Sequence, residues 1–370
     1  MRLSRRRFFQ TSAVAAATAA LQPRLLALEP PRVRPAGGAI LLNSNENAFG
    51  PFPSVRQAMI DALEVANRYP DYEYDALWAA LSKLHSVKED QIVVGCGSTD
   101  ILRMAAEVMC GRTKTIITAA PTFEALAMYG ARRGVKTITV PLRKDYGHDF
   151  EAMAAKAKVG VDLIYICNPN NPTASITPRK EIEAFLAQVP QETYVMIDEA
   201  YHHFAVHSDG YLSFADAAHA PQHPRAFVAR TFSKIYAMAG MRIGYAVGPK
   251  EVISELAKNY VFDNPNCLAA RGAVAAINDT AAMEAAAKTF ADARAEFLRQ
   301  AMKRRLSVIP SHANFLMMET GHPVRKVIDH FKTNGVMVGR PFPPYETHLR
   351  VSIGLPTEMQ TFWSVYDKMA

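Results

Sequence analysis

Thr231-Phe232-Ser233-Lys234 stands eight residues ahead of Arg242 in Met241-Arg242-Ile243-Gly244, and an apolar run, Ala226-Phe227-Val228-Ala229, leads into it. Working outward, Asp198-Glu199-Ala200-Tyr201 closes a second apolar run that begins at Tyr194. Farther upstream, Asp162-Leu163-Ile164-Tyr165-Ile166-Cys167 opens into Asn168-Pro169-Asn170-Asn171-Pro172-Thr173. Each run is short, apolar and followed at once by polar residues, the pattern of a buried strand that ends at a loop.

The same rhythm begins earlier. Gln91 to Val94 reads as a strand, and Thr99 to Cys110 as an amphipathic helix stopped by Gly111. Thr115 to Thr118 is the next strand, followed by a helix from about Phe123 to Tyr129 that ends at Gly130, and by a strand over Val135 to Val140. Thr177-Pro178 reads as a helix start, a cap followed by proline at the first helical position. Ile243 to Val247 is the last strand of the set. Strands separated by helices predict an α/β fold with a mostly parallel central sheet covered by helices. The N-terminal segment and the chain beyond Asn278, with an Ala-rich helix over Thr280 to Arg305, predict a smaller α+β domain. In open α/β sheets ligands sit at the carboxyl ends of strands. The polar residues above all fall there, as does Gly97-Ser98-Thr99 at the start of its helix.

Together these residues supply four chemical parts. Lys234 is an amine able to form a Schiff base. Asp198 is an acid able to hold a pyridinium proton. Tyr201 and Asn171 can hydrogen-bond a phenolate oxygen. Arg242, Thr231, Ser233 and the helix opening at Gly97-Ser98-Thr99 can hold a phosphate. That is the inventory for pyridoxal 5'-phosphate. Taken singly, each part has a plainer reading. A lysine is usually solvated, an acid after a strand is often a cap or an ion-pair partner, and Glu199 offers itself as the alternative acid. Gly95-Cys96-Gly97 lacks the third glycine of a dinucleotide fingerprint.

The arrangement resembles the fold-type I pyridoxal-phosphate enzymes, and within them the histidinol-phosphate aminotransferase group, from about Leu41 to the C-terminus. Leu42-Asn43-Ser44-Asn45-Glu46-Asn47-Ala48-Phe49-Gly50-Pro51, Arg68-Tyr69-Pro70-Asp71 and Gly95-Cys96-Gly97-Ser98-Thr99-Asp100 are similar to that group's signatures. Ala174 departs from the usual Gly after Asn-Pro-Thr, and Ala48 from the usual Pro. The resemblance implies catalytic roles for Lys234, Asp198 and Tyr201, and an aromatic ring, Phe123, stacked on the cofactor. It implies a homodimer in which Tyr69 reaches the partner subunit's cofactor phosphate. It implies substrate contacts from Arg350, Arg340 and Asn45, with Glu46 on the same arm. It divides the chain into 29–68, an N-terminal arm and part of the small domain; 69–262, the cofactor-binding domain; and 263–370, the small C-terminal domain. The implied reaction moves an amino group between an amino acid or amine, histidinol phosphate-like or aromatic, and a 2-oxo acid such as 2-oxoglutarate. A decarboxylase on the same scaffold and a non-catalytic cofactor-binding protein are the alternatives.

The 370 residues, 49% apolar and 21% charged, are those of an ordinary globular protein. Of the net charge of +7, +5 comes from five arginines in residues 1–28, which hold no acid, so the body carries +2 and gives no cause to invoke nucleic acid. Ser4-Arg5-Arg6-Arg7-Phe8-Phe9-Gln10 resembles a twin-arginine export signal, and the apolar stretch Thr11 to Leu21 is too short to span a bilayer. Residues 1–28 are therefore expected to engage the twin-arginine translocase and direct the protein to the periplasm or beyond, with no stable membrane association. The four cysteines have no zinc spacing, and Cys110 and Cys167 lie in apolar runs. His202, His203 and His207 lack a completing carboxylate or cysteine, so no metal site is expected and they read as exposed loop histidines.

Overall fold

The computed structural model describes residues 38–262 and 264–369. The chain enters along β1 (Ile40–Leu42) and then forms two helices, Pro53–Asp61 and Asp71–His85. A seven-stranded sheet follows, built from β2 (Ile92–Gly95), β3 (Thr115–Ala120), β4 (Lys136–Pro141), β5 (Leu163–Cys167), β6 (Tyr194–Asp198), β7 (Ala226–Thr231) and β8 (Gly244–Val247). Their order is β2-β8-β7-β6-β5-β3-β4, and only β8 runs against its neighbours. This is the fold-type I architecture, and the predicted mostly parallel sheet is present.

Every residue of β5 and β7 is buried, as expected for strands covered on both faces. Alternate side chains feed two cores. Leu163, Tyr165, Met196, Phe227 and Ala229 pack on one face with Ile101, Leu102 and Met104 of the helix Ser98–Val108 and with Val252, Ile253 and Leu256. Ile164, Ile166, Val195, Ile197 and Val228 pack on the other with Met153, Ile182 and Phe185 of the helices Phe150–Ala157 and Arg179–Leu186. The period-2 alternation of strands thus meets helices above and below.

The C-terminal elements share a third core with β1 and the two N-terminal helices. Here β9 (Phe315–Glu319) pairs antiparallel with β11 (His348–Ser352), and β10 (Val336–Val338) pairs parallel with β1. The predicted Ala-rich helix is present as Thr280–Lys303.

Three local expectations are corrected. Gly130 does not end its helix, which runs Ala125–Arg132 straight through it; a Cβ there would sit 3.0 Å from Ile116 Cδ1, so the glycine lets the helix lie against β3. Pro178 is the N-cap of Arg179–Leu186 and not its first residue. Thr177 does not cap that helix, because its amide donates to Asn168 Oδ1 at 2.9 Å and its hydroxyl accepts from the His148 amide at 3.1 Å. The twin-arginine segment lies outside the described residues.

Candidate active site

The sheet topology brings the separate motifs to one edge. β5, β6 and β7 end there, at Cys167, Asp198 and Thr231, and β2 ends there at Gly95. Because β8 runs the other way, its first residue Gly244 lies at the same edge, paired with Thr231 and with Gly95. A cavity of about 660 Å³ opens at this edge. It is lined by Lys234, Asp198, Tyr201, Asn171, Ser98, Thr99, Phe123, Thr231, Ser233 and Arg242, and by Asn45, Arg340 and Arg350. A second cavity of about 800 Å³, beside the helices Thr280–Lys303 and Pro356–Tyr366, carries no lysine.

Asp198 is buried at the floor, where the Tyr165 hydroxyl donates to Oδ2 at 2.7 Å and the Ala200 amide to Oδ1 at 3.0 Å. Burial pushes its pKa above the ordinary carboxylate value, opposed by the Tyr165 hydrogen bond and the Lys234 charge. The rival acid is spent elsewhere. Glu199 takes both Nε and Nη2 of buried Arg230, at 3.1 and 2.9 Å, and also accepts from the Ser213 hydroxyl and the Phe214 amide.

Lys234 Nζ donates to the Asn45 carbonyl at 3.1 Å and lies 5.5 Å from the centre of the Tyr201 ring. Burial, reinforced by the positive charge of Arg350, lowers its pKa from 10.5 to about 8. A useful fraction of free amine is therefore present near neutral pH. The Tyr201 hydroxyl accepts from Asn45 Nδ2 at 3.0 Å.

At the other end of the cavity, Gly97 caps the helix Ser98–Val108 with φ +80, and a Cβ there would collide with the Arg242 guanidinium. Arg242, itself left-handed at φ +56, turns back so that Nη2 donates to Thr99 Oγ1 at 3.0 Å and Nη1 faces Ser233 Oγ at 3.5 Å. A helix N-terminus, two hydroxyls and a guanidinium make an anion cup. Amine, acid, phenol and cup fit pyridoxal phosphate in size and in chemistry.

Arg350 is buried in the opposite wall, with Nη1 donating to Asn171 Oδ1 at 2.8 Å and Nη2 to the Asn43 carbonyl at 2.7 Å. Burial lowers its pKa to about 10. Arg340 is half-exposed, 4.3 Å from the centre of the Phe342 ring, and pairs with Glu124. Tyr69 is 75% exposed and does not line the cavity.

Several contributors were not singled out from sequence. Asn314 donates to the carbonyls of Asn45 and Glu46 at 3.1 Å each, and Ser352 Oγ accepts from the Asn45 amide at 2.8 Å, so the two hold the arm in place. Asn314 stands inside the apolar run Ala313 to Met318, a legible anomaly. Tyr165 gives no signal until the register pairs Cys167 with Asp198. The histidine expectation fails for two of three. His202 and His203 pack against Tyr211 and Tyr236, at 3.1 Å each, and burial lowers their pKa well below normal. His207 is exposed as expected. Among the described residues no group of three or more His, Cys, Asp or Glu could hold a metal ion.

A strand-edge cavity holding amine, acid and anion cup defines a pyridoxal-phosphate enzyme of fold type I. The chain belongs to the family described as aminotransferase class I and II, which matches residues 38–362. It is 37% identical to a histidinol-phosphate aminotransferase 2 of Ralstonia nicotianae over 86% of this chain and 85% of that protein. It is 35% identical to an aromatic amino acid aminotransferase of Rhodococcus jostii over 88% of each. The crystal structure of a histidinol-phosphate aminotransferase from Sinorhizobium meliloti in complex with pyridoxal-5'-phosphate superposes with a TM-score of 0.83 at 26% identity, covering 90% of this chain and 92% of that one. The chain is a pyridoxal-phosphate-dependent aminotransferase.

Proposed function

We propose that this aminotransferase moves nitrogen from an aromatic or histidinol phosphate-like donor to a 2-oxo acid, outside the cytoplasm, as a homodimer. The single observation that carries the residue assignments is the convergence of Lys234, Asp198, Tyr201, Asn171 and Arg242 on one cavity from four separate stretches of sequence. When bound, pyridoxal phosphate supplies an electron sink that stabilises negative charge at the donor's α-carbon.

The chain's own groups do the rest. Arg242, Thr99, Ser233, Thr231 and the helix at Gly97-Ser98 hold the phosphate. Asp198, kept from water, neutralises a protonated ring nitrogen through its carboxylate. Tyr201 and Asn171 would hydrogen-bond the ring oxygen, and Phe123 would pack against the ring. Lys234 Nζ, with its lowered pKa, would take the proton from the donor's α-carbon and deliver it to the cofactor carbon on the far side of the transferred nitrogen. Arg350 holds the substrate's anionic group, carboxylate or phosphate, through its planar fork, which suits either anion. Asn45, fixed by Ser352 and Asn314, presents the N-terminal arm to the substrate.

Donors named in the relatives, histidinol phosphate and aromatic amino acids, support that range. Exposed Tyr69 suits a reach to the partner subunit's phosphate. The twin-arginine-like segment supports export, since that route carries folded, cofactor-loaded proteins. The test is a half-reaction panel: purified enzyme meets single amino donors, and the cofactor's visible absorbance and the products are followed. An oxo acid released in step with loss of the absorbance is expected. Carbon dioxide in its place would point to decarboxylation, and no change with any donor to a non-catalytic protein.

A further inference from the structure

The outer wall of the cavity carries charges that the reaction chemistry leaves unused. Arg340 Nη2 donates to Glu124 Oε2 across the mouth, and Glu46 lines the same wall. Beside them, over the same Phe342 ring, Arg350 has no ion pair among the described residues, and its Nε is buried without a hydrogen-bond partner. Two arginines and two acids leave this wall with no net charge before a substrate arrives. The surfaces between them, Ile328, Val338, Pro341 and Phe342, are apolar, and the Phe342 ring lies under both guanidinium groups, 4.3 Å from Arg340 Cζ and 4.6 Å from Arg350 Cζ.

We infer that Glu124 is a specificity-determining residue: by holding Arg340 it leaves Arg350 as the one arginine of the wall free of an acid, and so favours donors and acceptors with a single carboxylate and an apolar or aromatic side chain over those that bring a second anion. The inference rests on the assignment of Arg350 as the substrate anchor. A second anionic group entering this wall beside the one that Arg350 takes meets a guanidinium already neutralised and two carboxylates that repel it. Both partners of the Glu124–Arg340 pair are more than half exposed. Such a pair interacts weakly, so the effect is a preference of about two- to fivefold and not an exclusion.

Stopped-flow half-reactions of the holoenzyme test this with two donors, phenylalanine and glutamate, and two acceptors, phenylpyruvate and 2-oxoglutarate. Wild type is expected to react faster, in second-order rate constant, with the single-carboxylate member of each pair. In Glu124→Gln the ratio of the doubly anionic to the singly anionic member should rise about two- to fivefold for donors and acceptors alike. A wild-type preference for glutamate and 2-oxoglutarate, or unchanged ratios in Glu124→Gln, would overturn the inference. Arg350→Ala separates the two claims: if apparent affinity for all four compounds survives that change, the anchor assignment itself fails.

Discussion

At the scale of single residues, the site depends on what burial does to charge. Burial holds Lys234 near a pKa of about 8, against 10.5 in the unfolded chain. The folded, cofactor-free protein therefore binds fewer protons than the unfolded chain between those values, so this residue's contribution to stability rises with pH across that window. Cofactor-free wild type should gain stability relative to Lys234→Met from pH 8 to 10.5, measured by denaturant midpoints; a constant difference would argue for a normal lysine. Asp198→Asn should keep the fold, since an amide occupies the same space beside Tyr165, and lose most of the turnover, since it cannot neutralise a ring proton. A full rate in that variant would leave the cavity without its proposed acid, because Glu199 is committed to Arg230. Arg350→Ala removes a charge-assisted contact worth about 1.5–3 kcal/mol. Substrate affinity should fall by roughly ten- to a hundredfold while the bound cofactor's colour persists.

At the scale of elements, precision comes from loops pinned between strand ends. Gly97→Ala would press a methyl group into the Arg242 guanidinium at a left-handed position. Strain of about 1–3 kcal/mol follows, so cofactor titration should show affinity weakened by at least about fivefold with the fold intact; equal affinity would mean the loop can move aside. The Glu199–Arg230 pair braces β6 to β7 from within, both side chains buried. Arg230→Ala leaves a carboxylate unpaired, at a cost of about 3–5 kcal/mol in chemical denaturation. Strands, and the acids and amine at their ends, were legible in sequence because parallel strands are continuous apolar runs. What stayed hidden depends on register or on distant partners. Tyr165 under Asp198 requires the pairing of β5 with β6. Asn314 under Asn45 joins positions 269 residues apart. Gly130 looked like a stop because a helix glycine needed for close packing has the same sequence signature as one that ends a helix. His202 and His203 looked exposed because their tyrosine partners are not neighbours in sequence. Ala174, where a glycine was the usual residue, does adopt φ +60 and is fully buried, so the loop keeps the left-handed turn without the glycine.

At the scale of the whole molecule, three cores assemble a sheet, its helical cover and a C-terminal region whose strand β11 carries Arg350 to the cavity. The proposed dimer predicts that Tyr69→Phe weakens cofactor retention with little change in substrate preference, and that sedimentation at assay concentration finds two subunits. A fully active monomer would remove the trans role of Tyr69. Export predicts that replacing Arg5 and Arg6 by Lys leaves active enzyme in the cytoplasm; unaltered export would reject the signal. The central claim is that Lys234 is the amine that binds the cofactor. Borohydride reduction of the coloured holoenzyme, followed by peptide mass spectrometry, tests it most directly. The account predicts a single phosphopyridoxyl label on the peptide that contains Lys234, and none in Lys234→Ala. A label on another lysine, or none on the wild type, would contradict it.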